Sequence, residues 1–285
     1  MKKQALFAVT AVLAATSLLA QAPETKVVEV FSHKISYIEA GSGSPVILLH
    51  GMGANKGVWR LTIPALAQKF HVYAPDQIGF GASDKPLINY HVATYSDFLA
   101  EFMQTLGITR ASIVGNSLGG WVAADFAIRY PDRVDRLVLV DAAGYFTQPV
   151  NRKDLEVLNP GTLDETREMV KLVFFNKQMH TEAVVHMLYA ERMKAGDAYT
   201  IERLLDAAAQ RMDMLNDRLA SVHAPALVMH GRQDPLIPLA AGQSIAQQIP
   251  GSKTVILDDC GHVPEIECPV SFDKALVEFL SGEVK

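Results

Sequence analysis

Ile113-Val114-Gly115-Asn116-Ser117-Leu118-Gly119-Gly120 is the stretch whose reading decides the fold. A short β-branched run enters Gly-x-Ser-x-Gly and passes directly into a helical pattern, the form of a tight strand-to-helix turn that strains the serine backbone. Glycine is needed two residues before and two after Ser117, because side chains there would collide as strand and helix approach. The turn also puts the Ser117 hydroxyl at the head of a helix, beside backbone N–H groups that have no intrahelical partner.

A serine hydroxyl is a poor nucleophile near neutral pH unless a base removes its proton and a third group orients that base. Both follow downstream in the order acid, then histidine. Ala226–Met229 reads as a buried strand, and Gly231-Arg232-Gln233-Asp234-Pro235 leaves it as a turn. Thr254–Leu257 reads as another strand, followed by Asp258-Asp259-Cys260-Gly261-His262. In a parallel sheet these loops emerge at the same edge as Ser117. Ser117, Asp234 and His262 are therefore the candidate catalytic residues. Asp141, after Leu137–Val140, is the rival acid; Asp234 is preferred because it lies one strand later. Among nine histidines, His50 and His230 each precede a glycine at a strand end and read as structural.

Acyl transfer also requires N–H donors where the tetrahedral oxygen gains charge. The Leu118 N–H follows the nucleophile. Val46–Leu49 and the loop His50-Gly51-Met52-Gly53 supply the second donor, assigned to Met52.

Together with Asp76-Gln77-Ile78-Gly79-Phe80-Gly81-Ala82-Ser83-Asp84, Tyr130-Pro131-Asp132-Arg133-Val134 and Gly261-His262-x-Pro264-x-x-Glu267-x-Pro269, these motifs resemble the α/β-hydrolase superfamily. The resemblance covers essentially all of the chain after residue 24. It implies a mostly parallel eight-stranded sheet flanked by helices, with a helical cap inserted. The core is expected over 24–144 and 220–285, and the cap over 145–219. Serine in place of the aspartate nucleophile argues against epoxide hydrolases and haloalkane dehalogenases. The expected reaction is hydrolysis of a carboxylic ester of small to medium acyl length through an acyl-enzyme, with no cofactor and no metal. One alternative is a carbon–carbon bond hydrolase of vinylogous diketones. Those enzymes carry a similar Gly-Asn-Ser-Met-Gly-Gly elbow and a cap arginine, matched here by Arg192, but a tryptophan where Val263 stands. A second alternative is a non-catalytic ligand-binding protein on the same fold. Asn116 and Arg192 are the substrate-binding candidates. The competing readings are an elbow brace for Asn116 and, as the default, a solvated cap residue for Arg192.

The expected strands are Lys26–Phe31, Lys34–Glu39, Val46–Leu49, His71–Ala74, Ser112–Val114, Leu137–Val140, Ala226–Met229 and Thr254–Leu257, the first two as a hairpin around Ser32-His33. Core helices are expected over Thr94–Leu106, Leu118–Tyr130, Ala240–Gln248 and Ser271–Leu280, and cap helices over Leu163–Phe175, Glu182–Lys194 and Tyr199–Asn216. The cap is rich in methionine, which suits an adaptable pocket wall, although most of those side chains read as ordinary packing.

A chain of 285 residues with 49% hydrophobic content suits one domain with an insertion. Its net charge of −5, mixed along the chain, gives no reason to expect nucleic acid as a partner. The expected partner is a small-molecule ester or related acyl substrate. Residues 1–22 combine Met1-Lys2-Lys3, a continuous apolar run and Ala20-Gln21-Ala22, the pattern of a signal peptide or an uncleaved N-terminal anchor. Pro23 opposes a cut after Ala22. We expect an exported protein, periplasmic or secreted, with no stable membrane insertion unless that segment is retained. Cys260 and Cys268 flank His262. Export permits a disulfide, but their spacing does not establish one, and two buried thiols are the preferred reading.

Overall fold

A computed structural model describes residues 23–146, 148 and 151–283. Residues 1–22, read above as a signal peptide or anchor, lie outside the described residues. The strands are β1 (Glu24–Val30), β2 (His33–Gly41), β3 (Ser44–Leu49), β4 (Phe70–Pro75), β5 (Ala111–Asn116), β6 (Val134–Val140), β7 (Ala226–Gly231) and β8 (Lys253–Leu257). They form one sheet in the order β1-β2-β4-β3-β5-β6-β7-β8. β1 pairs antiparallel with β2 and β2 with β4, and every later pairing is parallel.

Side-chain alternation explains why the inner strands read as unbroken apolar runs. In β3, Val46 and Leu48 enter the core on one face, while Ile47 and Leu49 enter the other. In β6, Val138 and Val140 share the first face, and Leu137 and Leu139 the second. A strand covered on both faces has no solvent side on which to place polar residues.

Helices supply the covers. On one side lie α1 (Ile63–Leu66) and the C-terminal helix Pro269–Leu280, with Trp59 stacked on Phe272. On the other lie α2 (Val92–Thr105) and α3 (Leu118–Arg129). Every residue of α3 from Leu118 to Ala127 is buried, so this helix is held by packing on all sides and not by one apolar stripe. Its buried Asp125 is matched by Arg129 at 2.7 Å and Arg218 at 2.6 Å.

Between β6 and β7 the chain runs through α4 (Leu163–Val173), α5 (Glu182–Ala195) and α6 (Ala198–Ala209). A reciprocal Thr162/Glu165 capping box starts α4. After β7 come α7 (Leu239–Gln248), the short α8 (Pro264–Glu267) on the loop after β8, and α9 (Pro269–Leu280), the helix that packs under Trp59. No helix among the described residues is long and apolar enough to cross a membrane.

Three local expectations need correction. The first hairpin turns at Phe31-Ser32, and His33 already pairs with Val30. Both turn residues have positive φ, 48° and 61°, which matches the right-handed twist of a two-residue hairpin. The third helix of the insertion ends at Ala209 and does not continue to Asn216. Arg211 and Asp213 take positive φ there, and Asp213 is drawn off to α2, where its carboxylate accepts the Ala93 N–H and faces His91. In α5 only Val185 is buried, and Met187 and Met193 are more than half exposed; those two methionines do not pack inward.

Candidate active site

Ser117 joins β5 to α3 at φ 54°, ψ −116°, a conformation that L-residues rarely hold. It is fixed from both sides. Its N–H donates to Val140 O at 2.9 Å, and its carbonyl accepts the N–H groups of Trp121 and Ala143. The glycines are obligatory for the anticipated reason. A Cβ on Gly115 would lie 2.1 Å from Gly119 O, and one on Gly119 would lie 2.2 Å from Leu49 O.

The loop after β3 lies against this turn, since a Cβ on Gly51 would sit 3.2 Å from Ser117 Cβ. His50 anchors the loop from beneath. Its Nδ1 donates to Gly51 O at 2.8 Å, and its Nε2 accepts the Gln77 N–H at 3.0 Å. Burial pushes His50 below the usual imidazole range, which suits this neutral tautomer. Asp76 braces the next loop by accepting the N–H groups of Lys56 and Ala82 and the Lys56 ammonium. Among the described residues, the N–H groups of Met52 and Leu118 have no acceptor.

Asp234 and His262 meet at the same sheet edge. His262 Nδ1 donates to Asp234 Oδ2 at 2.8 Å, and Asp234 Oδ1 accepts the N–H groups of Leu236 and Ile237. Burial opposes charge on Asp234. The facing His262 and the two N–H donors outweigh it and hold the carboxyl below its ordinary range. The Ser117 hydroxyl makes no hydrogen bond to a described residue, an arrangement common where a catalytic contact tightens only around substrate.

Asn116 does not face outward. It is buried, and its Nδ2 donates to His262 O at 2.9 Å, so it ties the elbow to the histidine loop. Arg192 is not solvated either. Its guanidinium is buried, ion-paired with buried Asp197 and hydrogen-bonded to Asn159. The positive charge expected to bind substrate is already matched inside the protein.

The expectation of two free thiols is overturned, because Cys260 and Cys268 form a disulfide with Cα atoms 5.9 Å apart. The intervening turn α8 folds the chain back and brings together two sulfurs that sequence spacing alone left undetermined. The bridge closes the loop that carries His262. Glu267, whose position in the motif was legible but not its use, braces the same loop. Its carboxylate accepts the Asn176 N–H at 2.8 Å and faces the N–H groups of Phe175, Gly261 and Val263. The helical segment reaches the other loop as well, since a Cβ on Gly53 would lie 3.4 Å from Ile201 Cδ1 and 3.8 Å from Arg192 Nη1.

Asp141, His230 and Asp234 bring ligand-type atoms within 4.8 Å of one another. Each of the three residues already has a hydrogen-bond partner in the protein. Asp234 serves His262, Asp141 Oδ1 accepts the Gly231 N–H, and His230 Nε2 faces Ile237 O. We assign it to the hydrogen-bonded frame of the site.

This geometry is that of an α/β hydrolase, and the chain belongs to that family, whose model, described as the alpha/beta hydrolase fold, matches residues 44–267. Among curated relatives, it is 32% identical over 254 residues to a 2-hydroxymuconate semialdehyde hydrolase of a Pseudomonas species, covering 85% of this chain and 89% of that protein. Among solved structures, a meta-cleavage product hydrolase from Pseudomonas fluorescens superposes with a TM-score of 0.83 at 29% identity, over 90% of this chain and 98% of the other. A bacterial membrane phospholipase A superposes with a TM-score of 0.79 at 28% identity, over 91% and 86%. The protein is a hydrolase, and its relatives act on small molecules.

Proposed function

We propose that the protein is a serine hydrolase in which Ser117 attacks a substrate carbonyl. His262 accepts the serine proton and returns it to the leaving group. Asp234 orients His262 and balances its charge, and the Met52 and Leu118 N–H groups bind the oxyanion. The observation that carries this reading is the His262–Asp234 hydrogen bond, on the same edge as a strained Ser117 and two N–H groups with no acceptor among the described residues. With Nδ1–H given to Asp234, Nε2 presents its lone pair for the serine proton. Water then cleaves the acyl-enzyme with His262 as base. In this reading the helices of 145–219 are a cap, supported by their contacts with both the Gly53 and Gly261 loops.

From the sequence alone, ester hydrolysis is the expected reaction. The relatives favour the alternative, because they are mainly hydrolases such as the 2-hydroxymuconate semialdehyde, 2-hydroxy-6-oxo-2,4-heptadienoate and meta-cleavage product hydrolases. Carbon–carbon hydrolysis of a vinylogous diketone is therefore the first substrate reading. Ester cleavage is kept as the second on a specific observation: Arg192 is buried against Asp197, which leaves no unmatched charge there for a substrate carboxylate. The similarity to a phospholipase supports the same reading. The deciding experiment gives wild type and Ser117→Ala a 2-hydroxy-6-oxo-dienoate and p-nitrophenyl esters from acetate to palmitate. Dienoate turnover far above every ester, lost in Ser117→Ala, supports carbon–carbon cleavage. A peak at one ester length supports ester hydrolysis. Turnover of neither by folded protein favours the binding-protein reading. We infer export as well, supported by the 1–22 pattern and by a disulfide suited to an oxidising compartment.

A further inference from the structure

Asp234 has a second carboxyl group beside it. Asp141, the first residue after β6, is fully buried and held at φ 42°, with its N–H donating to Met229 O at 3.0 Å. Its Oδ1 accepts the Gly231 N–H at 2.9 Å and stands 3.4 Å from His230 Nε2. One of its carboxyl oxygens lies within 4.8 Å of one of Asp234's. Its other oxygen, Oδ2, is buried, and no N–H or O–H donor among the described residues reaches it.

Two carboxylates within 4.8 Å of each other do not both stay ionised in a buried site without a cation between them. His230 does not supply one, since burial pushes it below the usual imidazole range and its Nε2 is engaged by Ile237 O at 3.0 Å. His262 faces Asp234, and Glu265 adds further negative field when ionised. The pair is also unequal. Asp234 has two backbone donors and an imidazole, whereas Asp141 has one backbone donor. Asp234 therefore keeps the charge.

We propose that Asp141 is a neutral carboxylic acid that donates its proton to the Asp234 carboxylate, as a positioning residue for the His262–Asp234 pair. Protonation turns the oxygen that no donor reaches into a donor and gives it an acceptor. The added hydrogen bond fixes the Asp234 carboxylate toward His262. Neutrality also spares the His262–Asp234 pair a second buried negative charge beside it. Burial and the adjacent Asp234 charge act in the same direction, pushing the Asp141 carboxyl well above the ordinary range.

The kinetic part of this inference rests on the catalytic reading of Ser117, Asp234 and His262. The protonation state does not, so both are measured. Asp141→Asn keeps a neutral donor and an acceptor for Gly231 N–H. It is expected to retain kcat within about threefold with an unmoved acidic limb of the pH profile, whereas Asp141→Ala loses about 10- to 100-fold in kcat with KM little changed, as for one hydrogen bond to a charged group. Infrared difference spectra of folded wild type minus Asp141→Asn at pH 7 should show the carbonyl stretch of a protonated carboxylic acid. If Asp141→Asn folds poorly, the band is sought in Glu265→Gln protein, where that other buried acid is removed. Absence of the band, or a loss in Asp141→Asn as large as in Asp234→Asn, overturns the proposal. Retained turnover in Ser117→Ala would instead sink the catalytic reading and leave the infrared result standing.

Discussion

Glu265 offers the sharpest test of the energetics around the histidine loop. It lies three residues after His262, is completely buried, and no donor among the described residues reaches either carboxyl oxygen. Burial, and then the charges of Glu267 and Asp273, push its carboxyl up from 4.5 to about 8. The folded protein thus keeps this proton between those values while the unfolded chain releases it. Stability attributable to Glu265 is intact below about pH 4.5, falls as pH rises, and levels off above about pH 8. At about 1.36 kcal/mol per pH unit, the loss is about 3 kcal/mol by pH 7 and about 5 kcal/mol across the interval. Glu265→Gln has no proton to release and should lack this dependence. With about 2 °C per kcal/mol for a chain of this size, the Tm of Glu265→Gln relative to wild type should rise by about 8 °C between pH 5 and pH 8. Thermal unfolding at pH 5, 6, 7 and 8, with urea unfolding at 25 °C as the reversible check, measures the trend. A Tm difference that stays constant across that range would refute the argument, whatever its sign at a single pH.

Three further outcomes are expected. Cys260→Ser/Cys268→Ser should lose about 2.5 kcal/mol, the loop-closure value for a separation of eight residues; urea unfolding with and without reductant checks it, because reduction should destabilise wild type and leave the variant unchanged. Arg192→Ala should cost about 3–5 kcal/mol, since it strands Asp197 as an unpaired buried charge. Unchanged stability with a large rise in KM would instead return Arg192 to the role of substrate clamp. Ser117→Gly should abolish turnover yet raise stability by about 1 kcal/mol, because glycine relieves the φ 54° strain; calorimetry beside Ser117→Ala isolates the backbone contribution.

The central architecture was legible because its signals are local. Strands buried on both faces must be apolar throughout, so Val46–Leu49, Leu137–Val140 and Ala226–Met229 stand out from the helices around them. A turn with no room for a Cβ must be glycine, so Gly115 and Gly119 mark the elbow around Ser117. The order of the loops then brings Asp234 and His262 to the same edge, because parallel strands end on one side of the sheet.

What only the tertiary structure decided depends on groups distant in sequence. Arg192 is a buried ion-paired residue because Asp197 and Asn159 converge on it. The helix expected to continue to Asn216 stops at Ala209 as Asp213 turns to meet α2. Cys260 and Cys268 join because α8 reverses the chain between them. Asn116 braces the His262 loop by accepting burial against a carbonyl 146 residues away. Local sequence carries backbone propensity and patterning. It does not carry the partner of a buried charge or amide, because that partner is supplied by another segment once the sheet and its covering helices have formed.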